Sequence, residues 1–197
     1  MENAKVGFGK LFTAEILAII GSFITLVSKD YWYIGIIFIV VDIVAFFMNL
    51  KGLKLMGKDL EGYNKAYKFA LAGIVFDIIT LILCFVFNGN TEAGTIINNT
   101  SKTLTNAIEL AICYLVLKTS IAYLESKGNA DLAAYAKTTK NLLVAAYAIC
   151  IILDAILGYK TSVVALIGIV GALVALVCML IGQIKYILFL KKMKNAL

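Results

Sequence analysis

Long apolar runs alternate with short, lysine-rich polar segments along this chain. A helix needs roughly 20 apolar residues to cross the hydrocarbon core of a bilayer, and six of the runs approach or reach that length. The six predicted spans cover residues 11–28, 31–50, 69–88, 104–123, 141–159 and 162–184. The pattern therefore predicts an all-α, polytopic membrane protein, a bundle of six transmembrane helices.

The positions of the lysines predict the orientation of these spans. Lysine supplies every positive side chain, because the sequence contains no arginine and no histidine. Cytoplasmic connections of membrane proteins carry an excess of such residues, and here most lysines fall on one side of the predicted spans. The opposite side holds only Lys29, Lys102 and Lys160. We therefore expect a plasma-membrane protein with both termini in the cytoplasm.

Two connections on the lysine-rich side resemble each other. Residues 59–68 read DLEGYNKAYK and residues 131–140 read DLAAYAKTTK, so both fit the pattern D-L-x-x-Y-x-K-x-x-K. Residues 53–60, LKLMGKDL, also resemble residues 190–197, LKKMKNAL. A single membrane domain built from three tandem helical hairpins explains these matches. The predicted repeats are residues 1–58, 59–130 and 131–197.

The repeat junctions have a physical interpretation. Gly57 and Gly128 suit the left-handed position that commonly ends a helix. Asp59 and Asp131 follow them, where a carboxylate can cap the free amides of the next helix. The middle repeat is expected to carry an extra outer loop at residues 88–102. Tyrosines at equivalent positions of the two junctions are expected to anchor the chain at the lipid headgroups, namely Tyr63 and Tyr135.

Acidic residues lie within the first five spans, one in each, among small and polar residues. They are Glu15, Asp42, Asp77, Glu109 and Asp154. The small and polar residues of each span are three, four or seven positions apart, which places them on one helical face. An acid at the bilayer centre costs about 2.5–3.5 kcal/mol on insertion scales, so we expect these carboxyls to be buried against protein or water.

Depth within the spans groups four of these acids into two predicted pairs. Asp42 and Asp77 lie near mid-depth, and Glu109 and Asp154 lie in the outer half. Such pairs can hold a proton, because burial and a neighbouring carboxylate both raise a pKa. They can bind a cation, or they can be protonated packing elements. In the last case the expected hydrogen-bonding partners are Thr80, Tyr147, Asn49 and Ser22.

Two functions follow from these alternatives. The first is a small transporter, channel or substrate-binding membrane subunit whose carboxylates handle a cation, a proton or a small polar ligand. The second is a non-catalytic scaffold, immunity or assembly subunit, with a protein partner or homo-oligomer contact along the small-residue stripe at residues 168–182. An enzyme is not expected, because no nucleophile is paired with a base. The four cysteines are scattered one to a span, and no metal or cofactor is predicted.

Composition supports the bilayer as the main partner. Hydrophobic residues make up 62% of the chain and charged residues 15%, with a mean hydropathy of +0.95, whereas soluble domains average about 45–50% and 25%. The net charge of +6 is spread along predicted membrane edges. We therefore expect contact with anionic headgroups and no nucleic-acid binding.

Two known families share parts of this layout. Three hairpins in one chain resemble the mitochondrial carriers, but those carry a proline-containing signature and this sequence has no proline, which excludes that family. Six spans, a short chain and the pair Ala14-x-x-x-Ala18 resemble the substrate-binding subunits of energy-coupling-factor vitamin transporters. That motif covers five residues. The resemblance implies a membrane subunit that binds a small substrate.

The mid-depth pair gives a first prediction. Asp42→Asn with Asp77→Asn is expected to abolish transport or ligand binding while the protein still folds, because the amides keep the shape but lose the ionisable groups. Thermal stability, measured against pH and a panel of cations, reports the binding of protons and cations. The thermal stability of the unaltered protein should change between about pH 5 and 8, where raised carboxyl pKa values fall. A fully active double variant would show that this site assignment is wrong.

Overall fold

A computed structural model describes residues 1–27, 32–87, 92–156 and 162–197, although some side chains near the ends of these ranges, and a few inside them, lie outside the description. The described residues form six α-helices, in agreement with the all-α prediction. The helices are α1 (Glu2–Val27), α2 (Trp32–Gly57), α3 (Glu61–Val86), α4 (Glu92–Ser126), α5 (Ala130–Ile156) and α6 (Ser162–Ala196).

Three stretches of the described residues are long and apolar enough to cross a membrane. They are Thr103–Ser126 in α4, Ala130–Leu153 in α5 and Leu173–Ala196 in α6. A third or less of each is buried inside the protein, so most of their apolar surface needs another apolar environment, which lipid provides. The fold therefore indicates a helical membrane protein. The remaining predicted spans stay predictions.

The helices are longer than the predicted spans. α4 and α6 each contain 35 residues, which corresponds to about 52 Å at 1.5 Å per residue. The hydrocarbon core is only about 30 Å thick. The predicted outer loop at 88–102 is wrong from Glu92 onward, because α4 begins there. Asn, Thr and Ser favour turns in isolation, but this segment lacks proline and is helical here.

The two glycine junctions differ. Gly128 has a φ of 72°, and the amide of Asn129 donates to the carbonyl of Leu124 at 2.9 Å just after α4 ends. This confirms the left-handed helix end predicted there. Gly57 is the last residue of α2, and no positive φ is found for it. A Cβ at Gly57 would lie 3.1 Å from the backbone of Asn64, so close approach to α3 favours glycine instead.

The predicted caps are wrong at both junctions. The carboxyl of Asp59 caps the start of α1, where it accepts hydrogen bonds from the Ala4 amide at 2.8 Å and the Asn3 side chain at 3.0 Å. At the second junction Asn129 is the capping residue, since its side chain accepts from the Leu132 amide at 3.2 Å. Asp131 instead lies within the first turn of α5. The fold thus brings Asp59 to free amides distant in sequence.

One compact unit comprises Met1–Tyr67 and Tyr186–Leu197. The ring of Phe8 packs edge-to-face against Tyr63 and Phe189, with centroid distances of 5.8 and 6.3 Å. All three residues are fully buried, which shows that the predicted headgroup anchor at Tyr63 is wrong. The matching residues of the two LKxM segments are buried in the same unit, and they are Leu53, Met56, Leu190 and Met193. The sequence similarity therefore marks buried core positions.

Within this unit α1 and α2 approach each other closely at two glycines. A Cβ added to Gly7 would lie 2.7 Å from the carbonyl oxygen of Gly52, and one added to Gly52 would lie 2.9 Å from that of Gly7. Real Cβ atoms essentially never come that near. Small residues at such crossings let two backbones pack directly, as is common between membrane helices.

The second compact unit comprises Lys68–Lys185. Here α4 packs against α5, and α5 packs against α6 at two glycines. A Cβ on Gly171 would meet Leu153 and one on Gly182 would meet Leu143, each at 2.7 Å. These two members of the stripe at 168–182 thus face α5 within the chain.

The cap at Asp59 predicts an acid-sensitive contribution to stability. The hydrogen bond from Asn3 contributes most to holding the pKa of Asp59 below its usual value; that from Ala4 also lowers it, and burial opposes them. A lowered folded-state pKa stabilises the protein above about pH 4, and this contribution is lost as the pH falls through the folded pKa. Asp59→Ala should reduce the free energy of unfolding by about 1 kcal/mol at neutral pH, and the deficit should shrink in acid.

The matched control is Asp131→Ala at the equivalent repeat position, where the carboxyl is exposed. Unfolding of both variants in a mild detergent, followed by circular dichroism from pH 3 to 7, provides the measurement. Equal effects of the two substitutions would contradict the cap.

Candidate functional site

The structure places the five predicted acids on five different helices. Asp77 lies on α3 and Glu109 on α4, both within the second unit. Glu15 is half-buried on α1, in the first unit. The side chains of Asp42 and Asp154 lie outside the described residues, and so do the two pairings predicted for them.

Asp77 is linked to α4 by a side-chain hydrogen bond. The hydroxyl of Thr105 donates to a carboxyl oxygen of Asp77 at 3.4 Å. About one turn further along both helices, the hydroxyl of Ser101 donates to that of Thr80 at 3.3 Å. Two successive polar contacts therefore join α3 to α4.

Glu109 is linked to α5 in a similar way. The hydroxyl of Tyr147 donates to Glu109 Oε2 at 3.1 Å, and Tyr147 is only 1% exposed. Glu109 follows Thr105 by four residues, so both side chains lie on one face of α4. Because Thr105 is bonded to Asp77 and lies one turn from Glu109, the two acids lie close to each other at the junction of α3 and α4. We call Asp77, Thr105, Glu109 and Tyr147 the carboxylate cluster.

The two acids of the cluster are accessible. Tyr147 is buried, but Asp77 and Glu109 are exposed residues. Of the two environments expected for the acids, protein or water, enclosure by protein alone does not describe these two. Each carboxyl has one described hydroxyl donor, which leaves further oxygen lone pairs available to a ligand.

Lysines do not neutralise the cluster. Among the described residues, no lysine lies within ion-pair distance of Asp77 or Glu109, and the ion pairs found join Lys65 to Glu61, Lys137 to Glu125 and the Met1 amino group to Asp59.

Three lysines inside α4, α5 and α6 contact aromatic rings instead. Lys118 and Lys140 lie 5.8 and 5.6 Å from the centre of the Tyr114 ring, and Lys185 lies 5.8 Å from that of Tyr135. Such cation–π contacts satisfy a charge without a counter-ion. The acids are thus left with hydroxyl partners alone within the described part of the chain.

This arrangement restricts the chemistry of the cluster. Two nearby carboxyls without a base can retain a proton between them or share a cation through their oxygens. No three cysteine or acidic side chains among the described residues lie close enough together to hold a metal ion. The described cluster therefore suits a proton or a weakly held cation better than a tightly bound divalent metal.

Sequence patterns identified part of the cluster. Thr105, Glu109 and Tyr147 follow helical spacing among small and polar residues, and Tyr147 was an expected partner of a protonated acid. Ser101 was missed because its segment was assigned to a loop. The spacing of Ser101, Thr105 and Glu109 at intervals of four would have placed it on the same face of α4.

Comparisons with known proteins assign no role to the site. The chain matches no protein-family model, no curated protein and no solved structure. The similarity to energy-coupling-factor substrate-binding subunits accordingly rests on the short chain, the six predicted spans and the Ala14-x-x-x-Ala18 pair. Ala14 is buried and Ala18 is exposed.

The hydrogen bond across α4 and α5 predicts a selective effect of one hydroxyl. Tyr147→Phe should lower the free energy of unfolding by about 0.5–1 kcal/mol, the range for such bonds in membrane proteins. Tyr114→Phe is the matched control, because its hydroxyl has no hydrogen-bond partner among the described residues. Thermal unfolding in detergent should separate the two variants, and identical unfolding midpoints would contradict the contact.

Proposed function

We propose that the chain is a small membrane transporter or channel in which the carboxylate cluster carries a proton or a cation. The observation that carries this proposal is the juxtaposition of Asp77 and Glu109, two accessible acids without a described lysine partner. Acids within membrane helices are costly and usually mark an ion or substrate pathway. A purely structural role is served more cheaply by neutral hydroxyl or amide groups.

The proposed topology has six spans, arranged as three hairpin repeats, with both termini in the cytoplasm of a plasma-membrane protein. Its support is the lysine distribution, together with the three apolar stretches in α4, α5 and α6. The similarity of residues 59–68 and 131–140 supports the repeat. In this topology Asp77 lies near mid-depth and Glu109 somewhat further out.

The cluster suggests how an ion is handled. Asp77 and Glu109 repel each other when both are ionised, so binding a proton or a cation relieves that repulsion. The hydroxyls of Thr105 and Tyr147 each hold one carboxyl in place. Water or the transported ion completes the remaining oxygen contacts. Release on the other side then restores the repulsion and resets the site.

A second candidate function has its own observation. The bonds from Thr105 to Asp77 and from Tyr147 to Glu109 also join three helices, which suits a non-catalytic scaffold or assembly subunit. In that case the acids are packing elements, and their neutral amide analogues should support the same function.

Ion flux distinguishes the transporter or channel from the scaffold. Asp77→Asn and Glu109→Gln are each expected to reduce flux at least tenfold, because the amides keep the hydrogen-bond acceptor but cannot take up a proton. The protein is reconstituted in vesicles containing a pH-sensitive dye, and a potassium diffusion potential drives proton entry. A parallel assay follows radioactive sodium.

The matched control is Glu61→Gln with Glu125→Gln, which removes two acids exposed near helix ends. These changes should leave flux unaltered. If the unaltered protein moves neither ion faster than empty vesicles, ion transport is contradicted. If it moves one and the cluster variants retain it, the site assignment is wrong.

A further inference from the structure

A cavity of about 410 Å³ opens beside the C-terminal half of α2, within the first compact unit. Small-molecule sites commonly measure about 300–1,000 Å³. The residues that line it include Phe47, Leu50, Lys51, Lys54, Lys58 and Tyr67. We call this cavity the α2 groove.

The groove changes from apolar to basic along its length. Phe47, Leu50, Lys51 and Lys54 follow one another by one or three positions along one stripe of α2, and Lys58 comes directly after the helix ends at Gly57. Phe47 and Leu50 occupy the end nearer the middle of α2, and Phe47 is 62% exposed. The three lysines occupy the other end. The rise along α2 from Phe47 to its last residue, Gly57, is about 15 Å.

The basic end lacks a counter-charge. Lys51, Lys54 and Lys58 are exposed, and none forms an ion pair or cation–π contact with the residues that the structure describes. Membrane topology requires positive charge on the cytoplasmic side. It does not require three lysines beside one cavity that is also lined by Tyr67 of α3. An anion seated among them explains that arrangement.

We propose that the α2 groove binds one anionic phospholipid of the cytoplasmic leaflet. Its phosphate lies among Lys51, Lys54 and Lys58, and an acyl chain runs along Phe47 and Leu50 towards the membrane interior. Tyr67 closes the side of the headgroup region. The apolar end favours a lipid over a soluble phosphate, which would leave Phe47 and Leu50 uncovered. The choice of leaflet rests on the proposed topology, whereas lipid binding itself does not.

Lipid titration in detergent tests the groove directly. The purified full chain, in a neutral detergent, is titrated with phosphatidylglycerol, with phosphatidylcholine of the same acyl chains, and with glycerol phosphate. Native mass spectrometry counts bound molecules, and the thermal midpoint reports stabilisation. Phosphatidylglycerol should bind with a stoichiometry of one and raise the midpoint. The other two should do neither at the same concentration.

A triple variant locates the binding site. Lys51→Gln with Lys54→Gln and Lys58→Gln should weaken phosphatidylglycerol binding about 100-fold, since each lysine near an anionic lipid contributes roughly fivefold. The matched control replaces three exposed lysines that do not line the groove, namely Lys5, Lys191 and Lys194. A second triple variant with arginine at the groove positions should bind as the unaltered protein does, which separates loss of charge from loss of folding.

Three outcomes would overturn the proposal. Equal stabilisation by glycerol phosphate would assign the groove to a soluble phosphate compound. Equal binding of phosphatidylcholine would remove the role of the lysines. Equal weakening by the control triple would indicate general surface attraction. Glu109→Gln should bind the lipid normally, so the results distinguish failure of the groove from failure of the carboxylate cluster.

Discussion

Polar groups within apolar helices must find partners inside the protein, because lipid offers none. This constraint explains most of the described contacts in the second unit. Thr105, Ser101 and Tyr147 each use a hydroxyl to reach a neighbouring helix. Ser120 instead donates back to the carbonyl of Val116 in its own helix at 2.8 Å. Asp77 and Glu109 are the exception, since their hydroxyl partners satisfy only part of their capacity.

The same constraint gives the lysines and the acids of the helices different partners. Lys118 and Lys140 have the ring of Tyr114 as a partner, and Lys65 and Lys137 pair with acids near the helix ends. Asp77 and Glu109 have hydroxyl partners instead. Among the described residues no lysine neutralises these two acids. Under the proposed function they therefore stay free to exchange a proton or a cation.

Whether a contact can be predicted from the sequence depends on how far apart its residues lie along the chain. Helix identity and the left-handed end at Gly128 follow from local composition and spacing, and both were predicted. The cap formed by Asp59 was not, because its partners Asn3 and Ala4 lie more than fifty residues away. The spacing rule also placed Thr105 and Glu109 on one face but could not assign their partner helices. Pairing between helices depends on packing that no single segment encodes.

Tyr63 and Tyr135 show that similarity between two sequence segments does not fix the role of a side chain. They occupy the same place in two similar segments, yet Tyr63 is buried against Phe8 and Tyr135 donates from a half-exposed position to the carbonyl of Lys185 at 3.3 Å. Local sequence similarity concerns a side chain's place in its own segment, whereas the neighbouring helices decide its contacts. The acids follow the same logic. One acid in each of five helices indicates a recurring helical face. Among the described side chains, Thr105 links two of these acids, because it bonds to Asp77 and lies one turn from Glu109 on α4. Their proximity, and not their recurrence, is the observation on which the proposed ion-binding role rests.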